Sequence, residues 1–228
     1  MGVAVVVIVT ALGFFAFISG DDGGEPSDNP SKVPSVSSSA AARNLAKRVA
    51  LTPKDWGSTF VRNSPYENTG QYWTFVDQDC KITSESLTDA LDGLQRNVKE
   101  SDDTVLSDSS LITYKRADSA ESFVARQREP LRRCPKQGIA GSNAQYENIH
   151  EVKVPALKGF DDLVAAEGHA TVDSDGQKTD DYYTLLTASK GQFVLQASVT
   201  RNGSETQEAN RDDAVNALSL MLSRLESG

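Results

Sequence analysis

Two histidines and two cysteines are the whole supply of soft metal ligands and imidazole bases in this 228-residue chain. His150 stands beside Glu151 in a stretch that reads as a strand. Adjacent strand side chains point to opposite faces, so the two do not form an acid–base pair. His169 has no second ligand at a useful spacing, and no H-E-x-x-H, G-x-S-x-G or S-x-x-K pattern occurs. A hydrolase therefore has little support, and both histidines read as structural or exposed. Asp173-Ser174-Asp175-Gly176, followed by Asp180 and Asp181, bears a faint likeness to a calcium loop. An EF-hand frame would put Thr171 and Tyr182 where carboxylates are required, so an acidic hairpin turn on Asp175-Gly176 is the better reading. No metal and no cofactor is expected.

Arg126, Arg128, Arg132, Arg133 and Lys136, with Glu129 alone among them, give a local charge of +4 in a chain of net charge −9. Their forks suit the phosphate or carboxylate of an anionic envelope polymer or lipid headgroup. A solvated helix face opposite Phe123 and Leu131 is the commoner meaning of such a run. Trp73, Phe75, Tyr182, Tyr183 and Phe193 supply aromatic surface for a cleft, although strand aromatics more often build core. Tyr182 and Tyr183 join the five basic residues as candidate ligand contacts. The acid excess, 32 against 23 bases, argues against a nucleic-acid partner. So few Cys and His exclude a zinc module or a disulfide-dense miniprotein.

Cys80 and Cys134 lie 54 positions apart with no C-x-x-C to depress a thiol pKa, which disfavours redox chemistry. A bridge between them would stabilise the fold by about 4 kcal/mol on the chain-entropy account. The other possibility is two independent buried thiols; the disulfide is preferred because both cysteines fall in a region read as lying outside the membrane.

That placement comes from the start of the chain. Val3–Ile18 is an apolar run of 16 residues interrupted only by Thr10 and Gly13, inside a stretch of 20 residues without a charge. A helix of 18–20 residues spans roughly 27–30 Å, close to the hydrocarbon thickness of a bilayer. Residues 1–20 therefore read as a transmembrane anchor or a signal segment. A retained anchor is preferred, because Ile18-Ser19-Gly20 is an imperfect cleavage site and no Cys follows for lipid attachment. No Lys or Arg precedes the run, which leaves room for an N-terminus upstream of Met1. Residues 21–40 hold three Pro, six Ser and no aromatic residue, and read as a disordered linker. Its r.m.s. reach is about 25 Å. The membrane would thus be met through the N-terminal helix alone. The chain would be single-pass with its C-terminal domain outside, or secreted if the segment is cleaved.

Residues 41–228 are enough for one sizeable core. Ala40–Leu51 has helical spacing, and Thr52-Pro53 reads as the N-cap and first position of a short helix toward Trp56. Gln71–Cys80 and Leu111–Tyr114 read as strands, with Cys80 ending the first. Leu87, Leu91, Leu94 and Val98, at intervals of 4, 3 and 4, predict a helix containing Gly93. Asp118-Ser119-Ala120-Glu121 reads as a capping box opening a helix to Cys134, kinked at Pro130. Further strands are expected over 147–154, 163–172, 181–188 and 192–200, with tight turns at Asp175-Gly176 and Lys190-Gly191. Ser204–Gln207 offers a second capping box, before a helix to about Leu225 with Val215, Leu218, Leu222 and Leu225 as its core stripe. Clustered strands with segregated helices indicate α+β: an antiparallel sheet with helices packed mainly on one side.

Tyr72-Trp73-Thr74-Phe75 leads to Asp79-Cys80, then come Leu111-Ile112-Thr113-Tyr114-Lys115-Arg116 and a helix delivering Cys134-Pro135. Tyr182-Tyr183 and Gly191-Gln192-Phe193-Val194-Leu195-Gln196-Ala197 follow. In this order, over roughly Leu51–Glu226, the landmarks resemble actinobacterial envelope proteins related to the extracellular sensor domain of PknH-like serine/threonine kinases. The resemblance implies an exported domain with a disulfide, a sheet with flanking helices, and an envelope ligand held in a cleft. The kinase-attached domain is expected to hold two disulfides, whereas two cysteines make one here. No kinase domain stands ahead of the apolar run in this sequence, so binding carries over and phosphorylation does not. The expected function is a non-enzymatic extracytoplasmic ligand-binding or sensor-like module tethered to the cell envelope. An envelope protein–protein scaffold is the alternative, and a hydrolase is the least favoured reading.

Overall fold

The computed structural model describes residues 33–139, 144–154, 157–174 and 177–227. The chain begins with α1 (Ser39–Val49), α2 (Pro53–Trp56) and strands β1 (Phe60–Thr69), β2 (Tyr72–Val76) and β3 (Lys81–Ser86). Strands β4 (Ala90–Glu100) and β5 (Val105–Tyr114) precede α3 (Ala117–Arg133) and the short β6 (Gln137–Ile139) and β7 (Gln145–Glu151). Then come β8 (Asp162–Ser174), β9 (Gln177–Lys190) and β10 (Phe193–Asn202), a 3-10 turn at Ser204–Thr206, and α4 (Gln207–Glu226).

Among the described residues, the ten strands form one sheet in the order β1-β4-β5-β10-β9-β8-β7-β6-β3-β2. Neighbours are antiparallel except β3 and β6, where Lys81 lies opposite Gly138 and Ile82 opposite Ile139. Alternation along the central strands separates two layers. Phe193, Leu195, Ala197 and Val199 of β10 join the core that α1 and α4 cover, while Val194 turns to the other face. Ala42, Leu45, Ala46 and Val49 put one stripe of α1 into the first layer, and Ala214, Leu218, Met221 and Leu225 do the same for α4. Arg224 of α4 clasps Asp55 of α2 at 2.5 and 3.1 Å. Of the described helices only α3 packs on the opposite face, over β7 to β10. There the sheet curls. Its far end, the β2–β3 hairpin, brings Phe75 beside Ile112, Phe123 and Val194, and the Trp73 indole N–H donates to Gln196 at 2.8 Å.

The α+β class therefore holds, but several local expectations do not. The predicted helix over Leu87–Val98 is strand β4. Asp92, Leu94, Arg96 and Val98 alternate onto the α1 face and are all buried, the charged pair at 4% and 7% exposure. Arg43 neutralises Asp92 at 2.9 Å; Arg96 pairs with Glu67 at 3.0 Å and donates to the Ala50 carbonyl at 2.6 Å. Burying two charges hid the period of two. The edge strand β1, mostly exposed and shifted in register between Arg62 and Glu67 around Pro65, offers no alternation to read.

Cys80 does not end a strand. It sits in the turn between β2 and β3, where the Asp77 carboxylate accepts from the N–H groups of Asp79 and Lys81 at 2.9 and 2.8 Å. Neither expected capping box forms. Arg116 occupies the N-cap position of α3, with Asp118 inside the helix holding its guanidinium at 2.9 Å. Ser204–Thr206 is a 3-10 turn leading into α4, which has no side-chain cap. Thr52 and Asp55 do form the capping box of α2, with Pro53 at the first helical position.

The linker expected over 21–40 ends early. Val36 is buried, its N–H donates to Gln192 Oε1 at 3.1 Å, and Ser38 caps α1 by accepting from Ala41 N–H at 3.2 Å. The rest of the linker, the apolar segment 1–20 and the Asp175-Gly176 turn lie outside the described residues. No helix among the described residues is long and apolar enough to cross a membrane.

Candidate functional site

At the start of α3 the chain leaves an open groove of about 310 Å³. Ser86–Asp89, between β3 and β4, form one wall, and the first three turns of α3 form the other. Phe75, Phe123 and Tyr114 make the floor: Phe75 and Phe123 meet edge to face at 5.3 Å, and Tyr114 lies 6.3 Å from Phe123. Polar groups rim this floor: Ser119 and Ser122, the carboxylates of Asp89 and Asp118, and the guanidiniums of Arg116 and Arg126. Arg126 lies 3.7 Å above the Phe75 ring and pairs with Glu85 at 2.6 Å. Tyr114 is 5% exposed and lines the groove from below. Burial pushes its hydroxyl well above its ordinary pKa, with Arg126 pulling it down and Asp89 adding to the rise. It therefore stays protonated.

Only Arg126 of the sequence-predicted contacts reaches this groove. Arg128 turns to the sheet, binding Asp162 with both terminal nitrogens at 3.0 and 2.8 Å and the Leu163 carbonyl at 2.7 Å. The guanidinium holds the Asp162 carboxyl below the usual carboxylate range. Arg133 folds over the β2–β3 turn, donating to the carbonyls of Gln78 and Asp77 at 2.7 and 3.1 Å and pairing with Glu129 at 3.1 Å. Lys136 pairs with Glu147 at 2.5 Å, and Arg132 is exposed with no ion pair among the described residues. Four of the five basic side chains, Arg126, Arg128, Arg133 and Lys136, thus hold carboxylates of this chain. Tyr182 and Tyr183 diverge because they are neighbours on β9. Tyr182 stacks on His169 at 5.4 Å on the α4 side, while Tyr183 meets Tyr146 edge to face at 5.6 Å beneath α3.

The space under α3, lined by Tyr183, Leu185, Gln127 and Leu131, measures about 70 Å³. Small-molecule sites run to about 300–1,000 Å³, so this space is too small for one. A wider groove of about 440 Å³ lies between Leu157–Phe160 and α4. Its hydroxyls do not converge: Ser219 is already spent on the Val215 carbonyl at 2.7 Å. Among the described residues no group of three or more His, Cys, Asp and Glu is placed to hold a metal. His150 bonds the Asn148 carbonyl through Nδ1 at 2.7 Å, and Glu151 faces Arg128, so the two are indeed not paired.

Cys80 and Cys134 are joined in a disulfide that ties the β2–β3 turn to the C-terminal end of α3. Both walls of the groove are thus fixed at their far ends by one covalent link. Sequence reasoning passed over Tyr114, Ser119, Ser122, Asp89 and Arg116 as site residues. The usable signal was Arg116 directly before a helix, a position that offers no capping acceptor.

No protein-family model and no curated protein matches the chain. In fold it is similar to the extracellular domain of PknH from Mycobacterium tuberculosis, with a TM-score of 0.53 over 86% of this chain and 100% of that one, at 10% identity. An uncharacterised protein from Mycobacterium smegmatis gives a TM-score of 0.36 at 9% identity, over 57% of this chain and 64% of that one. LpqN from Mycobacterium tuberculosis, involved in cell envelope biogenesis, gives 0.26 at 12%, over 70% and 87%. The resemblance drawn from the sequence landmarks therefore holds at the level of the fold, shared with a mycobacterial extracellular domain.

Proposed function

We propose that this chain is a non-enzymatic extracytoplasmic module of the cell envelope that binds a ligand in the groove at the start of α3. The observation that carries the reading is the groove of about 310 Å³ itself, with Phe75, Tyr114 and Phe123 as an aromatic floor and serine, aspartate and arginine side chains around it. An apolar floor with a few polar groups converging on its rim is the usual lining of a small-molecule site. The disulfide, the apolar run Val3–Ile18 and the fold shared with an extracellular domain support a location outside the membrane, held to it through that run. Val61 and Leu106, both 42% exposed, flank Lys99 in one cross-strand row. That small patch favours a protein partner as the second reading.

The test is thermal unfolding of the full chain in detergent against envelope fractions: lipids, peptidoglycan pieces and anionic polymers. One fraction should raise the midpoint. Ser122→Trp, which fills the groove from an exposed helical position, should abolish the rise. A shift that survives Ser122→Trp but is lost with Leu106→Glu would place the contact on the sheet face and support the scaffold.

A further inference from the structure

We infer that the exposed basic end of α1 docks the domain on an anionic phospholipid bilayer, an assignment that rests on the membrane attachment proposed above. From Asn29 to Lys54 the sequence holds five cations, Lys32, Arg43, Lys47, Arg48 and Lys54, and no acid, in a chain of net charge −9. Helix α1 turns its apolar residues inward and this charge outward. Leu45, Ala46 and Val49 are buried, while Arg43, Asn44, Lys47 and Arg48 are exposed. Arg43 is matched by Asp92, but Lys47, Arg48 and the exposed Lys54 have no ion pair among the described residues. Arg62 joins them from the edge strand β1. It lies 4.5 Å above the Tyr66 ring, and Arg96 reaches the same ring at 5.9 Å while donating to the Ala50 carbonyl, just past α1, at 2.6 Å.

The neighbouring carboxylates do not cancel this charge. Glu67 belongs to Arg96, Asp55 to Arg224 and Asp92 to Arg43. Glu100 has no cation among the described residues and accepts from the Thr59 and Thr104 hydroxyls, and Glu226 shares its groove wall with Lys158. With all of these counted, Lys47, Arg48, Lys54 and Arg62 leave a surplus of three positive charges. Clustered lysine and arginine are drawn to anionic lipid, but only within about a Debye length of its surface, roughly 8–10 Å. The tether meets that condition: residues 21–32 have an r.m.s. reach of about 20 Å, which keeps α1 beside the membrane. A dissolved polyanion gains nothing from such a tether. Because α1 covers one face of the sheet and α3 the other, docking through α1 turns the groove at the start of α3 away from the membrane.

The test reconstitutes the full chain in vesicles of phosphatidylcholine alone, or with about 30% phosphatidylglycerol, and follows lysine acetylation by mass spectrometry. Lys47 and Lys54 should react about fivefold more slowly on the anionic vesicles. Lys81 and Lys136, which flank the disulfide, should react alike on both. Sodium chloride at about 0.5 M should erase the difference, because it shortens the screening length. Lys47→Gln combined with Arg48→Gln should return Lys54 to its rate on neutral vesicles. Equal Lys47 rates on the two vesicles would overturn the docking, and equally slow ones would assign the surface to the acids of the linker instead. Poly(glycerol phosphate) dissolved over neutral vesicles, if it protected Lys47 as well as the anionic bilayer does, would replace the bilayer by a polymer partner. A chain that alkaline carbonate strips from both vesicles fails as a membrane-held protein, and the docking falls with it. One that stays embedded without selective protection of Lys47 and Lys54 fails in the docking alone.

Discussion

Asp108 is a half-buried carboxylate with no ion pair among the described residues. It projects from β5 between Gln95 of β4, which donates at 3.1 Å, and the Ser198 hydroxyl of β10. Burial outweighs both hydrogen bonds and lifts its pKa above the ordinary carboxyl value. Glu167 shows the contrast: it is more deeply buried, but Arg211 grips it through two bonds of 2.8 and 2.9 Å. A carboxyl whose folded-state pKa is raised favours the fold below its unfolded pKa, and that support is lost as pH rises through the folded value. At neutral pH Asp108 therefore weakens the protein. Asp108→Asn should raise the unfolding midpoint at pH 7 by about 2–4 °C, the shift that 1 kcal/mol produces in a domain of this size. The gain should vanish as the pH falls below about 4, the ordinary Asp value. Scanning calorimetry at pH 7 and pH 3.5 checks this, and a lowered midpoint at pH 7 would show that the ionised form is the one the site prefers.

Elements were legible where apolar residues marked their buried face, and illegible where charge or glycine stood there instead. The stripe of α4, the strands β8 to β10 and the helix bearing Cys134 could all be read because leucine, valine and phenylalanine recur at the right period. In β4 the buried positions include Asp92 and Arg96, whose partners Arg43 and Glu67 are 49 and 29 positions away. Gly93 looked like a flaw in a helix. It is a strand residue under the Trp73 ring, where an added Cβ would meet the Gly70 carbonyl at 2.9 Å and the ring at 3.0 Å. Gly93→Ala should therefore cost about 1–3 kcal/mol in urea unfolding, in keeping with overpacking of a closed contact. The candidate site was less legible still, because its parts come from three separated segments and Tyr114, in its floor, looks like ordinary strand core. Helix α3 also shows what the basic run does. Arg128→Met removes the bonds to Asp162 and the Leu163 carbonyl, a partly exposed set whose loss should cost about 1–2 kcal/mol at pH 7. The Asp162 carboxyl, depressed by Arg128, contributes stability above its unfolded pKa that disappears as pH falls through the folded value. The difference between Arg128→Met and the parent should accordingly narrow in acid; a constant difference would mean that the Leu163 contact alone matters.

The whole molecule joins its N-terminal approach to the floor of the groove through a single side chain. Gln192, in the turn between β9 and β10, accepts from Val36 N–H at 3.1 Å and donates to the carbonyls of Val36 and Tyr114, each at 2.7 Å. The segment entering α1 is thereby fastened to the end of β5, where Tyr114 lines the groove. Composition alone made residues 33–40 part of a linker, because serine and proline dominate there. Two valines and one capping serine were enough to order them: Val33 and Val36 pack against the α1 side of the core, and Ser38 satisfies an amide at the first turn of α1. A cap contributes about 1 kcal/mol, a buried valine about 1.5 or more, and the Gln192 bonds a further fraction. A chain beginning at Ala41 should therefore unfold about 6–12 °C below one beginning at Val33, the shift expected for about 3 kcal/mol. The loss should also reach the groove. Without Val36, Gln192 keeps its bonds to the Tyr114 backbone but loses two that hold its side chain in place, so the shorter chain should respond less to any ligand that stabilises the longer one. Equal midpoints would make residues 33–40 a tether after all, and a lower midpoint with full ligand response would show that the fastening serves stability without touching the site.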